Sequence, residues 1–446
     1  MKIDIRMPAG VHAQTLRRLR ARPREVLEST PGEHHAPGRA EYLVNRVNEE
    51  TPLFGGAGDT LRVRITACAE AQRGMPLGAW LAAAAPCPPG RPTVELGLFP
   101  DGGFKGARVS ADGAVVEPVD RLALAGPGMR WWPADPPADG VDALLTGVER
   151  DAFLASEEYS RFVGTFHEPA AAWRVHASRF FLAGVGRTGA RLAASLSDEA
   201  GAGLTLADPD RLEPHNWRAM GLRPAAVGLP KAAAVRDSLV GALPAAAADR
   251  IRALVAAAES EASRLAMAAS DVLVTAPDHD LPRLTVTLAA ALYLRPHLDI
   301  GTGVFRDADG WRAGADVRLL LPGEGCLVCV GGLPGLTRPR DGDWRAERAG
   351  SLRSLNEAAA NLGLLRLLRL YDHAGGGPVW GRLTVRDDGG VTVWPMEVQP
   401  APRCPVCALA GRGDEGLEIV CRDDGLLRRP PRRPRQARRR RVAPWF

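Results

Sequence analysis

Two short cysteine pairs, Cys326-Leu327-Val328-Cys329 and Cys404-Pro405-Val406-Cys407, lie downstream of a glycine-rich hexapeptide, Gly184-Val185-Gly186-Arg187-Thr188-Gly189. Four thiolates close a tetrahedron around Zn2+ and leave no position open for water, so the pairs predict a structural zinc site. They do not open helices after a first strand, which disfavours a redox role. The glycines suit a phosphate. Gly184 permits a tight turn, Gly186 lets the backbone approach the ligand, and Gly189 lets a helix pack closely on a strand. The N-terminus of that helix favours an anion. Asp208, about twenty residues on, stands where a carboxylate holds ribose hydroxyls. By itself the hexapeptide fits NAD as well as ATP.

Such residues need strands and helices in alternation, and residues 151 to about 410 supply them. The pattern predicts strands at 179–183, 204–207, 251–255, 271–275 and 297–301. Helices are expected after the glycine turn through Leu196, over 231–240, over 282–293 and over 355–370. The fold class expected is α/β: a Rossmann-like, mostly parallel sheet with helices on both faces and a four-cysteine zinc knuckle. Residues 1–150, rich in Pro, Gly and Ala, predict a smaller N-terminal α+β domain with strand-like runs at 61–65 and 93–99. The segment Trp131 to Pro137 reads as a linker or domain edge. The divisions expected are 1–150 for this accessory domain, 151–412 for the nucleotide domain and 413–446 for a C-terminal extension.

After Asp208 runs Pro209-Asp210-Arg211-Leu212-Glu213-Pro214-His215-Asn216-Trp217-Arg218, then Val227-Gly228-Leu229-Pro230-Lys231, with the lysine opening a helix. Thr275-Ala276-Pro277-Asp278 follows the fourth strand, and Arg283 completes a D-x4-R element. With these motifs, over roughly residues 155 to 410, the chain resembles the ThiF/MoeB/E1-like family of ATP-dependent activators of ubiquitin-like and sulfur-carrier proteins.

The resemblance implies adenylation of a partner's C-terminal carboxylate, with release of pyrophosphate. Such chemistry needs charge neutralisation more than a strong base. The resemblance puts Lys231 and Arg218 on the phosphates, Asp278 on Mg2+, Asp208 on the ribose, and Asn216 on a phosphate or the catalytic arginine. Glu158-Tyr159-Ser160-Arg161 resembles the family's Y-x-R element, which makes Arg161 a finger supplied in trans within a homodimer. Three features depart from the family pattern. Asn216 and Arg218 are two apart rather than three, so Arg223 is a second candidate cation. The stretch from Asn216 to Lys231 is one residue shorter. His279 replaces the usual asparagine after the magnesium aspartate. No cysteine lies between Val330 and Arg403, so a thioester step is either absent or falls to Cys421, which ends a strand-like run at 418–421. The expected partners are a ubiquitin-like protein, a sulfur carrier or a peptide. A dinucleotide-dependent oxidoreductase and a non-enzymatic scaffold with a vestigial nucleotide site are the alternatives.

Residues 93–130 resemble the end of the JAB/MPN domain that sometimes precedes such a module. The zinc-peptidase motif of that domain is missing, so a peptidase is not expected. The 446 residues carry a net charge of +5, with the excess in Arg428 to Arg441, a tail too polar to pack. Nucleic-acid contact is expected only through that tail. The longest apolar runs are too short to span a bilayer, and the first residues lack the apolar core of a signal peptide. A cytoplasmic location is expected.

Overall fold

A computed structural model describes residues 2–47, 61–83, 90–133, 147–241, 243, 248–307, 310–333, 348–372, 377–386 and 388–420. Cys421 and the arginine tail lie outside the described residues.

The nucleotide domain is built on one nine-stranded sheet. Its parallel half runs in the order β13 (Ile251–Leu254), β12 (Gly203–Ala207), β11 (Arg179–Ala183), β14 (Val272–Thr275), β15 (His297–Asp307). An antiparallel half continues through β16 (Gly310–Leu320), β18 (Val379–Arg386) and β19 (Val391–Met396), with β17 (Arg348–Gly350) also paired to β15. The mostly parallel α/β architecture is the one the alternation predicts. The antiparallel half is new: the fifth strand does not end at Gly301 but continues to Asp307 and turns back on itself. Gly301, Gly303, Gly310 and Gly314 hide this hairpin in the sequence, because glycine weakens the strand signal.

Helices cover the sheet. They include α3 (Gly147–Ala155), α4 (Ser160–Val163), α5 (Pro169–Ala177), α6 (Arg187–Ala200), α7 (Trp217–Met220), α8 (Lys231–Val240), α9 (Glu261–Ala269), α10 (Asp280–Leu292) and α11 (Arg353–Tyr371). In α6, Ala190, Leu192, Ala193, Leu196 and Ala200 are buried at helical spacing, which lays one face on the sheet. Helix α11 does the same with Leu355, Ala359, Ala360, Leu364, Leu367, Leu368 and Tyr371. No described helix is long and apolar enough to cross a membrane.

The N-terminal residues form two five-stranded sheets. The first is ordered β10 (Arg130–Pro133), β9 (Arg121–Ala125), β1 (Lys2–Pro8), β4 (Arg39–Leu43), β3 (Gly32–Ala36). The second is β2 (Leu27–Ser29), β5 (Arg62–Ala67), β6 (Thr93–Leu98), β7 (Phe104–Val109), β8 (Val116–Pro118). Helices α1 (Ala9–Ala21) and α2 (Leu77–Ala83) accompany them. Residues 130–133 form an edge strand of the first sheet, and residues 134–137 of the segment read as linker or domain edge lie outside the described residues.

Strand alternation gives β1 two different faces. Ile3, Ile5 and Met7 enter an apolar core with Tyr42 and Leu122. Asp4 and Arg6 point the other way, toward the nucleotide domain, and are equally buried. Arg6 Nε meets Glu41 Oε1 at 2.9 Å and its Nη2 meets Asp271 Oδ1 at 3.1 Å. Arg295 Nη2 reaches Glu41 Oε2 at 2.6 Å and also donates to the Ala268 carbonyl. Arg121 and Arg39 pair with Asp4. Asp271 and Arg295 lie just before β14 and β15, so this buried network joins the N-terminal sheet to the end of the parallel strands opposite the glycine turn. A second weld follows the cysteine pairs. Residues 418–420 are not a strand but the last turn of α12 (Gly413–Val420). Asp414 of this helix accepts hydrogen bonds from Tyr293 Oη (2.9 Å) and the His35 backbone N–H (2.9 Å), and its Oδ1 lies 3.1 Å from His34 Nδ1.

Removing one member of such a network leaves the others buried and uncompensated. We expect Glu41→Ala to lower stability by about 3–5 kcal/mol in denaturant unfolding, because buried Arg295 then loses its carboxylate and Arg6 keeps only Asp271. Replacing Arg6, Glu41 and Arg295 together by apolar residues of similar volume should recover most of that loss.

Candidate nucleotide site and metal-binding cluster

The strand order reverses between β11 and β14, and ligands of open parallel sheets bind in the crevice beyond the strand ends at such a point. The glycine turn follows β11 there and Pro277-Asp278 follows β14. Gly184 takes φ +86°, and a Cβ on it would lie 2.6 Å from the Pro277 nitrogen. A Cβ on Gly189 would lie 2.1 Å from the Gly184 carbonyl oxygen. Both glycines are therefore demanded by the protein's own backbone. Gly186 is different: a Cβ there would meet nothing within 4 Å. The protein's own packing therefore does not demand a glycine there, and the space in front of its backbone is open.

Asp208 ends β12 and is buried. Its Oδ2 accepts from the Val185 N–H at 2.8 Å and its Oδ1 from the Asp210 N–H at 2.9 Å. Both oxygens thus already shape the glycine turn and the loop beside it, and burial pushes the carboxyl pKa up. Lys231 opens α8, and its Nζ pairs with Asp210 Oδ2 at 2.8 Å. Burial works against the lysine charge, but Asp210, Asp208 and Asp278 outweigh it and hold its pKa above the ordinary value. Asp278 has a side chain 67% exposed, with His279 Nε2 3.4 Å away. Asn216 precedes α7, where Arg218 stacks on Trp217 at 5.0 Å. The fold thus gathers Gly184, Gly186, Gly189, Asp208, Asn216, Lys231 and Asp278 around one crevice. Arg161 stands exposed on α4 and makes no described hydrogen bond or ion pair with any of them.

Two constellations were not legible beforehand. The first is a set of arginines around α7. Arg187 Nε and Nη2 reach Asn216 Oδ1 and the His215 carbonyl, each at 3.3 Å. Arg191 donates to the Ala219 carbonyl, Arg353 to that of Arg218, and Glu357 pairs with both Arg191 and Arg353. Residues so far apart in sequence carry no local signal. The second set surrounds Asp299, which is fully buried in β15. Arg283 of the D-x4-R element donates to it twice (2.8 and 2.7 Å), Arg318 once (2.8 Å) and Thr275 Oγ1 once (2.7 Å). Because Thr275 gives its hydrogen to Asp299, His297 Nε2 must carry the hydrogen in its 2.8 Å bond to Thr275. Burial alone would raise the Asp299 pKa, but the two guanidinium groups pull it down to about 2. The available signal was a carboxylate inside an otherwise apolar strand.

The four cysteines converge. Cys326 Sγ lies 3.7 Å from Cys329 Sγ and 3.5 Å from Cys404 Sγ, and Cys329 Sγ lies 3.5 Å from Cys407 Sγ. All four sulfurs fall within 4.8 Å of one another. Metal–sulfur bonds of about 2.3 Å in a tetrahedron separate the sulfurs by about 3.8 Å, so the set fits one metal ion held by thiolates alone. The cluster packs on Leu288 of α10 and Val406, and it links the turn after β16 to the segment after β19.

The sequence matches the ThiF family over residues 159–406. None of the curated proteins matches it. Among solved structures, E. coli MccB with succinimide superposes at a TM-score of 0.43 with 17% identity, covering 57% of this chain and 76% of that one. E. coli MccB with ATP gives 0.42 and 18%, covering 57% and 75%. The microcin C7 biosynthetic enzyme MccB with N-formylated MccA gives 0.41 and 18%, covering 57% and 76%.

Two outcomes follow from this geometry. Cys404→Ser should lose bound metal by elemental analysis and lower the unfolding temperature, as a chelator should for the wild-type chain. Asp299→Asn should cost about 3–5 kcal/mol near neutral pH, since two buried guanidinium groups lose their anion. A folded pKa near 2 against 3.8 for the free carboxyl stabilises the fold above about pH 4 and ceases to do so as pH falls toward 2. Acid unfolding followed by circular dichroism should show that component in wild type and not in the variant.

Proposed function

The chain belongs to the ThiF family, and from that premise we propose that it is an ATP-dependent, E1-like adenylyltransferase acting on the C-terminal carboxylate of a peptide or small carrier protein. The observation that carries this reading is the convergence of Lys231 with Asp210, Asp208 and Asp278 in front of an uncapped helix N-terminus. A nicotinamide site has no need of a lysine set among three carboxylates. A triphosphate with a divalent cation needs both signs of charge.

In the reaction proposed, a carboxylate oxygen of the partner attacks the α-phosphorus of ATP. The bond from that phosphorus to the oxygen bridging to the β-phosphorus breaks, and pyrophosphate leaves with the electron pair. An acyl adenylate remains. No group on the enzyme need remove a proton, since the nucleophile is already ionised. Lys231 and Arg218 neutralise phosphate charge, and Asn216 orients a phosphate or the arginine beside it. Asp278 would hold Mg2+, which would supply positive charge to offset that of the triphosphate. Asp208, whose oxygens already accept from the Val185 and Asp210 amides, would also accept from the ribose hydroxyls. Arg161 reaches the crevice of the partner subunit in a homodimer. The four thiolates would hold structural zinc, which would fix the end of the domain without entering the chemistry. With no cysteine from Val330 to Arg403, the adenylate passes directly to its acceptor. The N-terminal sheets serve as an accessory domain for the partner or the dimer.

Calorimetry with Mg·ATP and with NAD tests the assignment. Mg-dependent ATP binding is expected in wild type, at least about tenfold weaker in Asp278→Ala, since a hydrogen bond or ligand to a charged group contributes about 1.5–3 kcal/mol. The exposed Asp278 side chain means the unfolding temperature should not move. Binding of NAD in preference to ATP would overturn the assignment.

A further inference from the structure

No side chain among the described residues caps the N-terminus of helix α6, and the Asp208 carboxylate is bonded to the Val185 N–H just before it. Its N-cap, Gly186, has no side chain to accept from the first N–H groups, and its first turn holds no Asp or Glu. Its first residue is instead Arg187, a cation at the positive end of a helix dipole, where a carboxylate is the favoured neighbour. The guanidinium is half-buried and crosses the mouth of the crevice to Asn216 Oδ1 and the His215 carbonyl. Both acceptors are neutral, and both distances, 3.3 Å, are at the long end for a hydrogen bond. No carboxylate among the described residues pairs with it.

Arg218 likewise has no carboxylate among the described residues, but three other basic neighbours do. Arg191, four residues after Arg187, pairs with Glu357 at 3.2 Å, and Arg353 pairs with the same carboxylate at 2.9 Å. Lys231 is matched by Asp210. Around Arg187 a guanidinium without a carboxylate, uncapped helix N–H groups and the open space in front of Gly186 coincide. A guanidinium fork suits phosphate oxygens better than it suits amide carbonyls.

We propose that Arg187 is a phosphate ligand of the nucleotide site. On binding, its guanidinium moves from Asn216 and His215 onto the triphosphate of ATP, supplied in cis beside Lys231 and Arg218. The inference rests on the reading of the crevice as an ATP site.

The test is calorimetry on the full chain with Mg·ATP and, separately, adenosine, for wild type, Arg187→Ala and Arg187→Lys, with thermal unfolding of each. Arg187→Ala should bind ATP about tenfold or more weakly and adenosine as wild type does. Its unfolding temperature should not fall, because a cation has been removed from the wrong end of a helix dipole. Arg187→Lys should recover part of the ATP affinity. Unchanged ATP affinity in Arg187→Ala would overturn the inference. So would parallel losses of ATP and adenosine with a lowered unfolding temperature, which mark a residue that only holds α7. A wild-type chain that binds adenosine and NAD but not Mg·ATP would remove the ATP-site reading itself.

Discussion

Asp299 is a carboxylate with no access to water, and half of the nucleotide domain is arranged to satisfy it. Its four hydrogen bonds come from β14 (Thr275), β16 (Arg318) and α10 (Arg283, twice). Arg283 also donates to the Gly332 carbonyl, just past the first cysteine pair. Arg318 continues the chain of charge to Asp316, which in turn binds Trp380 and Arg382 of β18. A buried charge is tolerated only when its hydrogen bonds are complete. That requirement fixes the parallel sheet, the antiparallel extension, the helix after Asp278 and the cysteine turn relative to one another. Asp299 thus ties the strands and the helix that border the crevice to one another.

Charge is sorted along the strands. At one end, Arg6, Glu41, Arg295 and Asp271 cancel one another in the seam with the N-terminal sheet. At the other, Arg187 and Arg218 have no carboxylate among the described residues, and Lys231 shares Asp210. The charges of the seam are buried and paired, whereas those of the crevice are partly exposed. Such a division suits the proposed binding of a multiply charged nucleotide at the upper edge.

The parts legible in the sequence share a property: each is a short-range pattern. The glycine turn, the helix opened by Lys231, the buried helix near 355–370 and the two cysteine pairs depend on residues within a few positions of one another. The second strand and the aspartate that ends it were equally plain. What was missed is long-range or masked by glycine. The β15–β16 hairpin reads as loop because four glycines interrupt it. Residues 418–420 read as strand because three alternating side chains are too few to separate period 2 from period 3.6.

Composition and local spacing thus determined by themselves that the chain carries a phosphate-type turn on a parallel sheet, and a set of thiols suited to one metal ion. Those features follow from backbone sterics and ligand chemistry, which act over a few residues. Only the tertiary structure decided which glycine faces open space, which carboxylates hold backbone amides, and which arginines have no carboxylate among the described residues. Each of these is a property of neighbours brought together from distant segments: Pro277 against Gly184, Val185 against Asp208, Asn216 against Arg187. Electrostatic balance is a sum over space, so it appears only when the strands are in register and the loops have met.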